Sequence, residues 1–548
     1  MTRLVCAWVV VNGVLLAPSW VSAALTGAPA VPWISVEAAL IVGGMALLPR
    51  RAWSRALSWL VAAGVVLAAL AGFADLVFRV SLGRPLNLSV DLYLLDAVRR
   101  LAVGNTGVLR SILLFGGIAL AGGACLFVLA RLLTPRRRDP LPGAASPVPQ
   151  VVAGLVGVTV ALALLGLGMD AVGNRVTTPA WTMLRDQSSL LVKTRRERAS
   201  FAADLSESSG SFGDVPHLFG RLSGRNVVVA YIESYGMAAL EDPELAAFIR
   251  PRLETAEQRI DSAGLHMATG RLTSPTLGGQ SWYAHDTMLS GLWLENQLRY
   301  DLLLSSGRPT LVDDFHDAGY RAVTIMPAIT TPWPEATRLG FDDVYTAENI
   351  PYGGPPFYWV TMPDQFTWSF LGDVLREART PLFVEVGMVS SHAPWTPVLP
   401  LLDWDEMGDG SVFEPYRREG YPPEETWWDV DVLRDGYARS LAYSIEAMAG
   451  FAEHLLDDRT LLIVPGDHQA APWVTGADGS DVPVHVIARD PALVEPFVEW
   501  GFRPGALPPE EGRPHRMDDF REWLVHAYSG EPDGAPGPST PMAGSSGD

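Results

Sequence analysis

The sequence divides into an apolar first part and an acidic second part, and this division most constrains how the chain can fold. Apolar stretches crowd the first 170 residues, whereas most Asp and Glu follow residue 200 and give the chain a net charge of −20. A chain of 548 residues is also too long for one ordinary domain. We therefore predict a membrane part, 1–170, followed by a soluble part with a different composition.

The first part contains five apolar stretches long enough to cross a bilayer, which takes about 20 residues of helix. Two of the loops between them are rich in arginine, and such loops stay on the cytoplasmic side. We expect a five-helix bundle in a bacterial cytoplasmic membrane, with the N-terminus inside and the soluble part periplasmic or extracellular. The stretches are roughly 4–25, 31–49, 56–78, 108–130 and 150–169, and the loop arginines are Arg50, Arg51, Arg55, Arg131, Arg136, Arg137 and Arg138.

The second part begins with a polar, weakly patterned segment, 171–223, which we interpret as a juxtamembrane linker. In 224–530, apolar runs such as "NVVVAYI", "PLFVEVG" and "TLLIVP" alternate with helical segments. Strands buried on both faces and alternating with helices predict an α/β domain with a largely parallel central sheet. The last residues, 531–548, are rich in Pro, Gly and Ser, and we expect them to be disordered.

Polar side chains follow three of these predicted strands. Glu233 follows the first, Ser391 and His392 the second, and Asp467 and His468 the third. Because ligands bind beyond the carboxyl ends of strands in open α/β sheets, these residues should converge on one edge. Glu, Asp and His together form a set of metal ligands. Each has a simpler interpretation: Glu233 as a surface carboxylate, His392 as a loop residue, and the Asp467, His468 pair as a turn.

Two classes of site are excluded by composition. The only two cysteines, Cys6 and Cys125, lie in apolar stretches, so a disulfide framework or a cysteine zinc site in the soluble part is excluded. The acidic balance argues against a groove for nucleic acid, which needs clustered Lys and Arg. We expect no nucleic-acid partner.

Ser281 stands in "GGQSWYAHDT", one residue beyond a pair of glycines and at the predicted start of a helix. A serine there is usually an ordinary N-cap. It becomes a nucleophile only where a base or a metal lowers the pKa of its hydroxyl. The same segment places His285 one helical turn later, where a structural role or a catalytic one is open. His485 lies inside an apolar strand, and we favour a buried, hydrogen-bonded residue over a ligand of a second metal.

The order of the motifs "NVVVAYIESYG", "GGQSWYAHDTMLSGLW", "MPDQFTWSFL", "SSHAPW" and "PGDHQ" resembles the sulfatase-like branch of the alkaline phosphatase superfamily. The resemblance is strongest to membrane-anchored lipoteichoic acid synthases and related phosphoglycerol transferases. It implies a divalent metal, Mn²⁺, Mg²⁺ or Zn²⁺, held by Glu233, Ser281, Asp467 and His468, with Ser281 as nucleophile. His392 would be catalytic and line the substrate site. Trp333 would bind the head group, together with Arg338, which is a weaker match.

The resemblance also implies the reaction. A group linked through phosphorus, of phosphoglycerol type, would be transferred or hydrolysed from a lipid or envelope-glycan phosphodiester through a covalent Ser281 intermediate. The donor would be a membrane lipid, and the acceptor an envelope glycan, a lipid or water. Alternatives of the same fold are a sulfuric-ester hydrolase and a phosphoethanolamine transferase, and a non-catalytic binding or sensing module is an alternative of another class. Because "SWYAH" lacks the Pro and Arg of the motif that sulfatases convert to formylglycine, phosphorus chemistry is favoured.

Overall fold

The computed structural model describes residues 2–26, 31–49, 51–95, 98–99, 102–103, 107–135, 152, 175–207, 210–395, 397–417, 429–477 and 479–531. The chain forms two compact units. One comprises 1–80 and 84–197, and the other comprises 81–83 and 198–548. The predicted tail lies outside the described residues except for Glu531.

The first unit is built from apolar helices. Small and branched side chains such as Ala7, Val42 and Leu129 form its buried core. The polar Asn12 is satisfied there, because its amide bonds the main chain of Trp33 and Ser35. Its elements are α1 (Thr2–Thr26), β1 (Ile34–Ser35), α2 (Val36–Leu47), α3 (Ala52–Leu82), α4 (Val108–Leu133) and β2 (Val176–Thr177), followed by α5 (Pro179–Glu207), which continues into the second unit.

Three of these helices, α1, α3 and α4, are long and apolar enough to cross a membrane. They coincide with the predicted first, third and fourth spans. The predicted second span, 31–49, contains only the 12-residue helix α2, which is short for a crossing. The fifth, 150–169, lies outside the described residues except for Val152. Three spans are therefore supported within the described part of the chain, and the count of five is not. The predicted linker, 171–223, contains α5.

The second unit is an α/β domain around a nine-stranded sheet, whose strands follow the order β10, β4, β9, β8, β3, β7, β5, β6, with β11 beside β4. Both faces of the sheet are covered by apolar clusters. The strands are β3 (Asn226–Tyr231), β4 (His266–Thr273), β5 (Arg321–Met326), β6 (Asp343–Thr346), β7 (Leu382–Gly387), β8 (Thr460–Pro465), β9 (Asp481–Ala488), β10 (Arg503–Pro504) and β11 (His515–Arg516).

The helices of this unit lie between the strands. The longest, α13, has 25 residues and packs one apolar face into the cluster that covers the sheet, as the segment "SLAYSIEAMAGFAEHLLD" predicted. The helices are α6 (Ala238–Glu241), α7 (Pro243–Ser262), α8 (Ser281–Ser290), α9 (Gln297–Ser306), α10 (Leu311–Asp317), α11 (Pro334–Arg338), α12 (Asp364–Glu377), α13 (Val430–His454), α14 (Pro472–Thr475), α15 (Glu495–Glu499) and α16 (Phe520–Tyr528).

The sheet is mixed, which corrects the expectation of a largely parallel one. The strands β8, β3, β7, β5 and β6 are parallel to one another, whereas β9 pairs antiparallel with β8 and β4, and β10 pairs antiparallel with β4. The short strand β11 is parallel to β4. The described chain between β8 and β9 holds the four-residue helix α14, whereas a parallel crossover usually contains a longer helix. The parallel half carries the three strand ends that the sequence singled out.

Candidate metal and phosphoryl-transfer site

Three of the predicted ligands meet at the carboxyl ends of neighbouring strands. Glu233 follows β3, and Asp467 and His468 follow β8, which is the next strand in the sheet. Their ligand atoms all lie within 4.8 Å of one another. Asp467 and His468 are buried and Glu233 is 14% exposed. The prediction that the strand ends converge is confirmed for these three residues.

Close packing of the two loops fixes this convergence. Gly236 has no room for a Cβ, because the side chain of Gln469 fills that space. Gly466 likewise lies against the main chain of Tyr235. Ser234 adopts a left-handed backbone, with φ 57°, which is uncommon for a residue other than glycine and occurs where the surroundings enforce it. The loops therefore meet in one arrangement, which presents the carboxylates to each other.

Hydrogen bonds set the orientation of Asp467 and His468. The main-chain N–H groups of Ser234 and His468 donate to Asp467 Oδ1, at 2.8 and 2.7 Å. His468 Nδ1 lies 2.9 Å from the carbonyl oxygen of Gln469, so Nδ1 carries the proton and donates it. The other nitrogen, Nε2, is then the one that faces the cluster. This is the arrangement by which a carbonyl orients a metal-binding histidine.

The cluster leaves a buried acceptor without a donor. His468 Nε2 lies 3.3 Å from Glu233 Oε1 and 3.6 Å from Asp467 Oδ2, and both of these atoms are acceptors too. Among the described residues, Nε2 has no hydrogen-bond partner. An unpaired buried nitrogen costs free energy, and a divalent cation between the three side chains would remove that cost. The residues present therefore fit a divalent metal.

When no cation is considered, the surroundings lower the pKa of Glu233 and raise those of Asp467 and His468. Burial would raise the pKa of Glu233, but the neighbouring His468 outweighs it and holds the pKa well below its usual range. Burial and the charge of Glu233 raise the pKa of Asp467 to about 6. Burial opposes protonation of His468, yet Asp467 and Glu233 together raise its pKa to about 9. A cation replaces the proton that the three groups would otherwise share.

Ser281 joins the cluster. Its hydroxyl donates to Glu233 Oε2 at 3.2 Å. The N-cap position of α8 is occupied by Gln280, with φ 67°, and Ser281 is the first helical residue. The interpretation of Ser281 as an N-cap is therefore wrong: the glycines and Gln280 turn the chain, which leaves the serine side chain to face Glu233. The helix N-terminus at Ser281 also favours an anion there.

His392 lies on the loop after β7, and a buried network holds this loop against Glu233. Asp364 accepts hydrogen bonds from the main-chain N–H groups of Val389 and Ser390, at 2.8 and 2.7 Å. The Ser391 hydroxyl donates to the main-chain oxygen of Glu233 at 2.6 Å. His392 is partly exposed, and its charge acts on Glu233. Asp364 lies in the sequence motif "MPDQF". The sequence does not show that it holds the loop, because its hydrogen-bond donors lie 25 and 26 residues away in the chain.

The remaining predicted residues have different surroundings. Trp333 is half-buried and packs on the apolar cluster beneath α8, whereas Arg338 is exposed at the end of α11. Within the described chain, neither makes a hydrogen bond or an ion pair with Glu233, Asp467 or His468, so their binding roles stay predictions. His485 is buried, with Nε2 3.0 Å from the Tyr235 hydroxyl and Nδ1 2.8 Å from Thr269. The structural role favoured for His485 is confirmed.

Comparisons with known proteins give structural neighbours only. No family model matches this sequence, and no curated protein matches it. The structure is similar to the integral membrane lipooligosaccharide phosphoethanolamine transferase A from Neisseria meningitidis, at 12% identity over 90% of this chain and 87% of that one, with a TM-score of 0.46.

Two further neighbours cover mainly one part of the chain. The lipoteichoic acid synthase LtaP from Listeria monocytogenes is 13% identical over 58% of this chain and 74% of that one, with a TM-score of 0.37. The phosphoglycerol transferase GacH from Streptococcus pyogenes is 13% identical over 61% and 82%, with a TM-score of 0.36.

These neighbours are enzymes of the superfamily branch that the sequence motifs resemble. Their TM-scores are below 0.5, so this likeness by itself assigns no function to the chain.

Proposed function

We propose that this chain is a membrane-anchored, metal-dependent phosphotransferase that moves a phosphoglycerol-type group from a lipid phosphodiester through a covalent intermediate on Ser281. One observation carries the proposal: the Ser281 hydroxyl bonds Glu233 beside a buried His468 nitrogen that has no donor. A nucleophile, two carboxylates and an oriented imidazole thus share one small site. Such a set is what metal-assisted displacement at phosphorus requires.

The metal would be held by Glu233, Asp467, His468 and the Ser281 oxygen. When bound, a divalent cation lowers the pKa of a coordinated hydroxyl and neutralises charge on phosphoryl oxygens. Its identity, Mn²⁺, Mg²⁺ or Zn²⁺, is open. The chain's own contribution is orientation: the main-chain donors to Asp467 and the carbonyl on His468 hold the ligand atoms in place before any substrate arrives.

Ser281, whose hydroxyl proton would be released to solvent as the site is loaded, would attack phosphorus through Oγ, form the Oγ–P bond, and break the bond to the donor's alcohol oxygen. His392, on the loop that Asp364 holds, would give a proton to that leaving oxygen and later take one from the acceptor alcohol or from water. The second displacement then breaks the Oγ–P bond and restores Ser281. This cycle consumes no oxidant, and one histidine supplies and recovers the proton.

The apolar helices support a location at a membrane for the proposed reaction. Helices α1, α3 and α4 would anchor the enzyme beside its lipid donor, which raises the local donor concentration. We place the α/β domain on the outer side of a bacterial cytoplasmic membrane, as the arginine-rich loops predict, with an envelope glycan, a lipid or water as acceptor. Trp333 and, less directly, Arg338 are proposed to contact the head group.

Mass spectrometry of Ser281 tests the proposal. The full-length protein in detergent is incubated with Mn²⁺ and vesicles of phosphatidylglycerol, and in parallel with phosphatidylethanolamine. A phosphoglycerol adduct on the Ser281 peptide is expected. A phosphoethanolamine adduct instead would assign the alternative transferase, and the two adducts differ in mass. Absence of any adduct in protein shown to hold Mn²⁺ would refute the covalent mechanism.

A chromogenic assay separates phosphorus from sulfur chemistry. Faster cleavage of an aryl sulfate than of a bis-aryl phosphodiester would favour the sulfuric-ester hydrolase. We expect the reverse, because the serine lies in a segment without the formylglycine signature. A non-catalytic module predicts that Ser281→Ala leaves the biological activity intact, whereas a transferase loses it.

A further inference from the structure

A second set of polar side chains lies beneath α8, and the mechanism above does not use it. His285 follows Ser281 by one helical turn, which places both side chains on about the same face of the helix. Its ring stacks on Tyr231 with centroids 3.7 Å apart and planes 11° from parallel. Its Nδ1 lies 3.5 Å from Oε1 of Glu385. The imidazole is therefore fixed on one side by a ring and at one nitrogen by a carboxylate.

Glu385 is a buried acidic residue in the interior of the sheet. It lies in the interior of β7, between Val229 of β3 and Thr324 of β5, and is 2% exposed. Among the described residues, its Oε1 has no hydrogen-bond partner. An unpaired carboxylate there costs several kcal/mol by order of magnitude, and an apolar residue would fill the position without that cost. The packing of the sheet thus gives no reason for Glu385, whereas a partnership with His285 does.

The ring of His285 lies at the edge of the sheet where the metal ligands emerge. A Cβ added to Gly387, the last residue of β7, would lie 3.8 Å from His285 Cε1. Since Nδ1 turns back toward Glu385 inside the strand, the other nitrogen, Nε2, is the one left for a ligand at this edge.

The carboxylate that faces His285 Nδ1 is Glu385 on β7. Asp286, the next residue on α8, is buried, and burial, followed by the charges of Glu385 and Glu335, raises its pKa well above its usual range. With Nδ1 directed at Glu385, Nε2 donates a hydrogen bond in the imidazolium form, in which both ring nitrogens are donors. An anionic phosphoryl group is the complement of such a donor.

We propose that His285 Nε2 donates a hydrogen bond to a nonbridging oxygen of the phosphoryl group on Ser281, and that Glu385 is the residue that positions its ring. The inference rests on the proposed function, because it assumes that Ser281 carries the transferred group. No bond is made or broken at His285. The hydrogen bond strengthens as charge accumulates on the oxygen, as donors aimed at a transition state do.

The test compares two affinities of the full-length protein in detergent, each measured by calorimetry. The first is for Mn²⁺ alone, and the second is for orthovanadate in Mn²⁺-loaded protein. His285→Phe keeps the ring that stacks on Tyr231 but removes both nitrogens. We expect it to weaken vanadate binding by about tenfold or more, as the loss of a charged hydrogen bond does, with Mn²⁺ affinity within about twofold. His266→Phe, at the exposed start of β4, is the matched control and should change neither.

Glu385 is tested as a positioning residue. Glu385→Gln should lower vanadate affinity less than His285→Phe does, and Glu385→Asp should restore part of the loss. The ¹⁵N shifts of His285 give a readout that a merely structural role would not move, because Nδ1 loses its carboxylate partner in Glu385→Gln. Unchanged ¹⁵N shifts in folded Glu385→Gln protein would overturn the assignment of Glu385.

Three results would overturn the role of His285: vanadate affinity in His285→Phe equal to wild type, an equal loss of Mn²⁺ and vanadate affinity, or no vanadate binding by Mn²⁺-loaded wild-type protein. Failure of the proposed function is seen separately, as absence of a Ser281 adduct with lipid donors. Calorimetry does not require turnover, so the two failures are distinguishable.

Discussion

Ser281 Oγ donates a hydrogen bond to Glu233 Oε2 across 3.2 Å, and this bond joins residues 48 positions apart in the chain. One lies at the start of a helix and the other at the end of a central strand. The bond brings a hydroxyl to the carboxylate that also faces His468. Under the proposed function, this contact would orient the nucleophile, although the local sequence of Ser281 is typical of a helix cap.

Replacement of Ser281 should abolish transfer with little effect on folding. We expect Ser281→Ala to lower kcat/KM for a bis-aryl phosphodiester by about 10³-fold or more, because the covalent step is lost. Ser281→Thr keeps the hydroxyl and should retain measurable activity. Ser305→Ala, an exposed serine on α9, is the control. Equal activity of the Ser281→Ala and Ser305→Ala proteins would exclude a nucleophilic role.

Removal of divalent metal should inactivate and destabilise the protein. Dialysis against a chelator leaves Glu233, Asp467 and His468 without a common partner, and added Mn²⁺ should restore activity. At a free metal concentration 100 times Kd, the stabilisation should be about 2.7 kcal/mol, read from the shift of the unfolding transition. Asp467→Asn should lose most of this increment, whereas Asp458→Asn, an exposed residue before β8, should keep it. A chelator-treated protein of full activity would contradict the metal site.

His392 should matter most for poor leaving groups. A residue that protonates the leaving oxygen contributes little when that oxygen is already a good leaving group. We expect His392→Gln to slow cleavage of an alkyl phosphodiester by about 10²-fold and that of a p-nitrophenyl diester much less. The exposed His454→Gln variant is the control. The same slowing for both substrates would argue for a binding role instead.

Asp242 should make a pH-dependent contribution to stability. It caps α7 by accepting from the N–H groups of Glu244 and Leu245, at 3.1 and 3.0 Å, and it pairs with Arg434. Burial opposes ionisation of Asp242, but the hydrogen bonds from Leu245 and Arg434 outweigh it and lower the pKa. At pH 7, Asp242→Ala should lower the free energy of unfolding by about 1 kcal/mol.

The sign of the pH effect follows from the lowered pKa. The carboxylate contributes stability above its unfolded pKa of about 3.9, and this contribution is lost as the pH falls through the lower folded value. Urea unfolding at pH 7 and below pH 4 should therefore show a shrinking difference between wild type and Asp242→Ala. Asp261→Ala, exposed near the end of the same helix, should show no such trend. A constant difference across this range would refute the ionic contribution.

The sequence determined the strands that carry the site and the ligands that follow them. Continuous apolar runs predict β3, β7 and β8, because a strand covered on both faces has only apolar neighbours. The residues after these runs leave the sheet at its carboxyl edge, so the convergence of Glu233 with Asp467 and His468 follows from topology alone. The acidic residue in "PLFVEVG" is Glu385, and its position inside an apolar strand was a sign of a functional role that the apolar pattern obscured.

Tertiary structure decided what local patterns leave open. The antiparallel side of the sheet begins at β9, whose connection from β8 holds the short helix α14, and the 12-residue α2 occupies a stretch whose hydropathy alone predicted a span. The neighbours of Ser281 are typical of a helix cap, whereas the fold brings its hydroxyl to Glu233. Apolar periodicity reports which side chains are buried, whereas the partner of a buried polar group comes from a distant part of the chain. The sequence therefore predicted the candidate metal ligands, whereas only the fold showed that Ser281 contacts Glu233 and that His285 contacts Glu385.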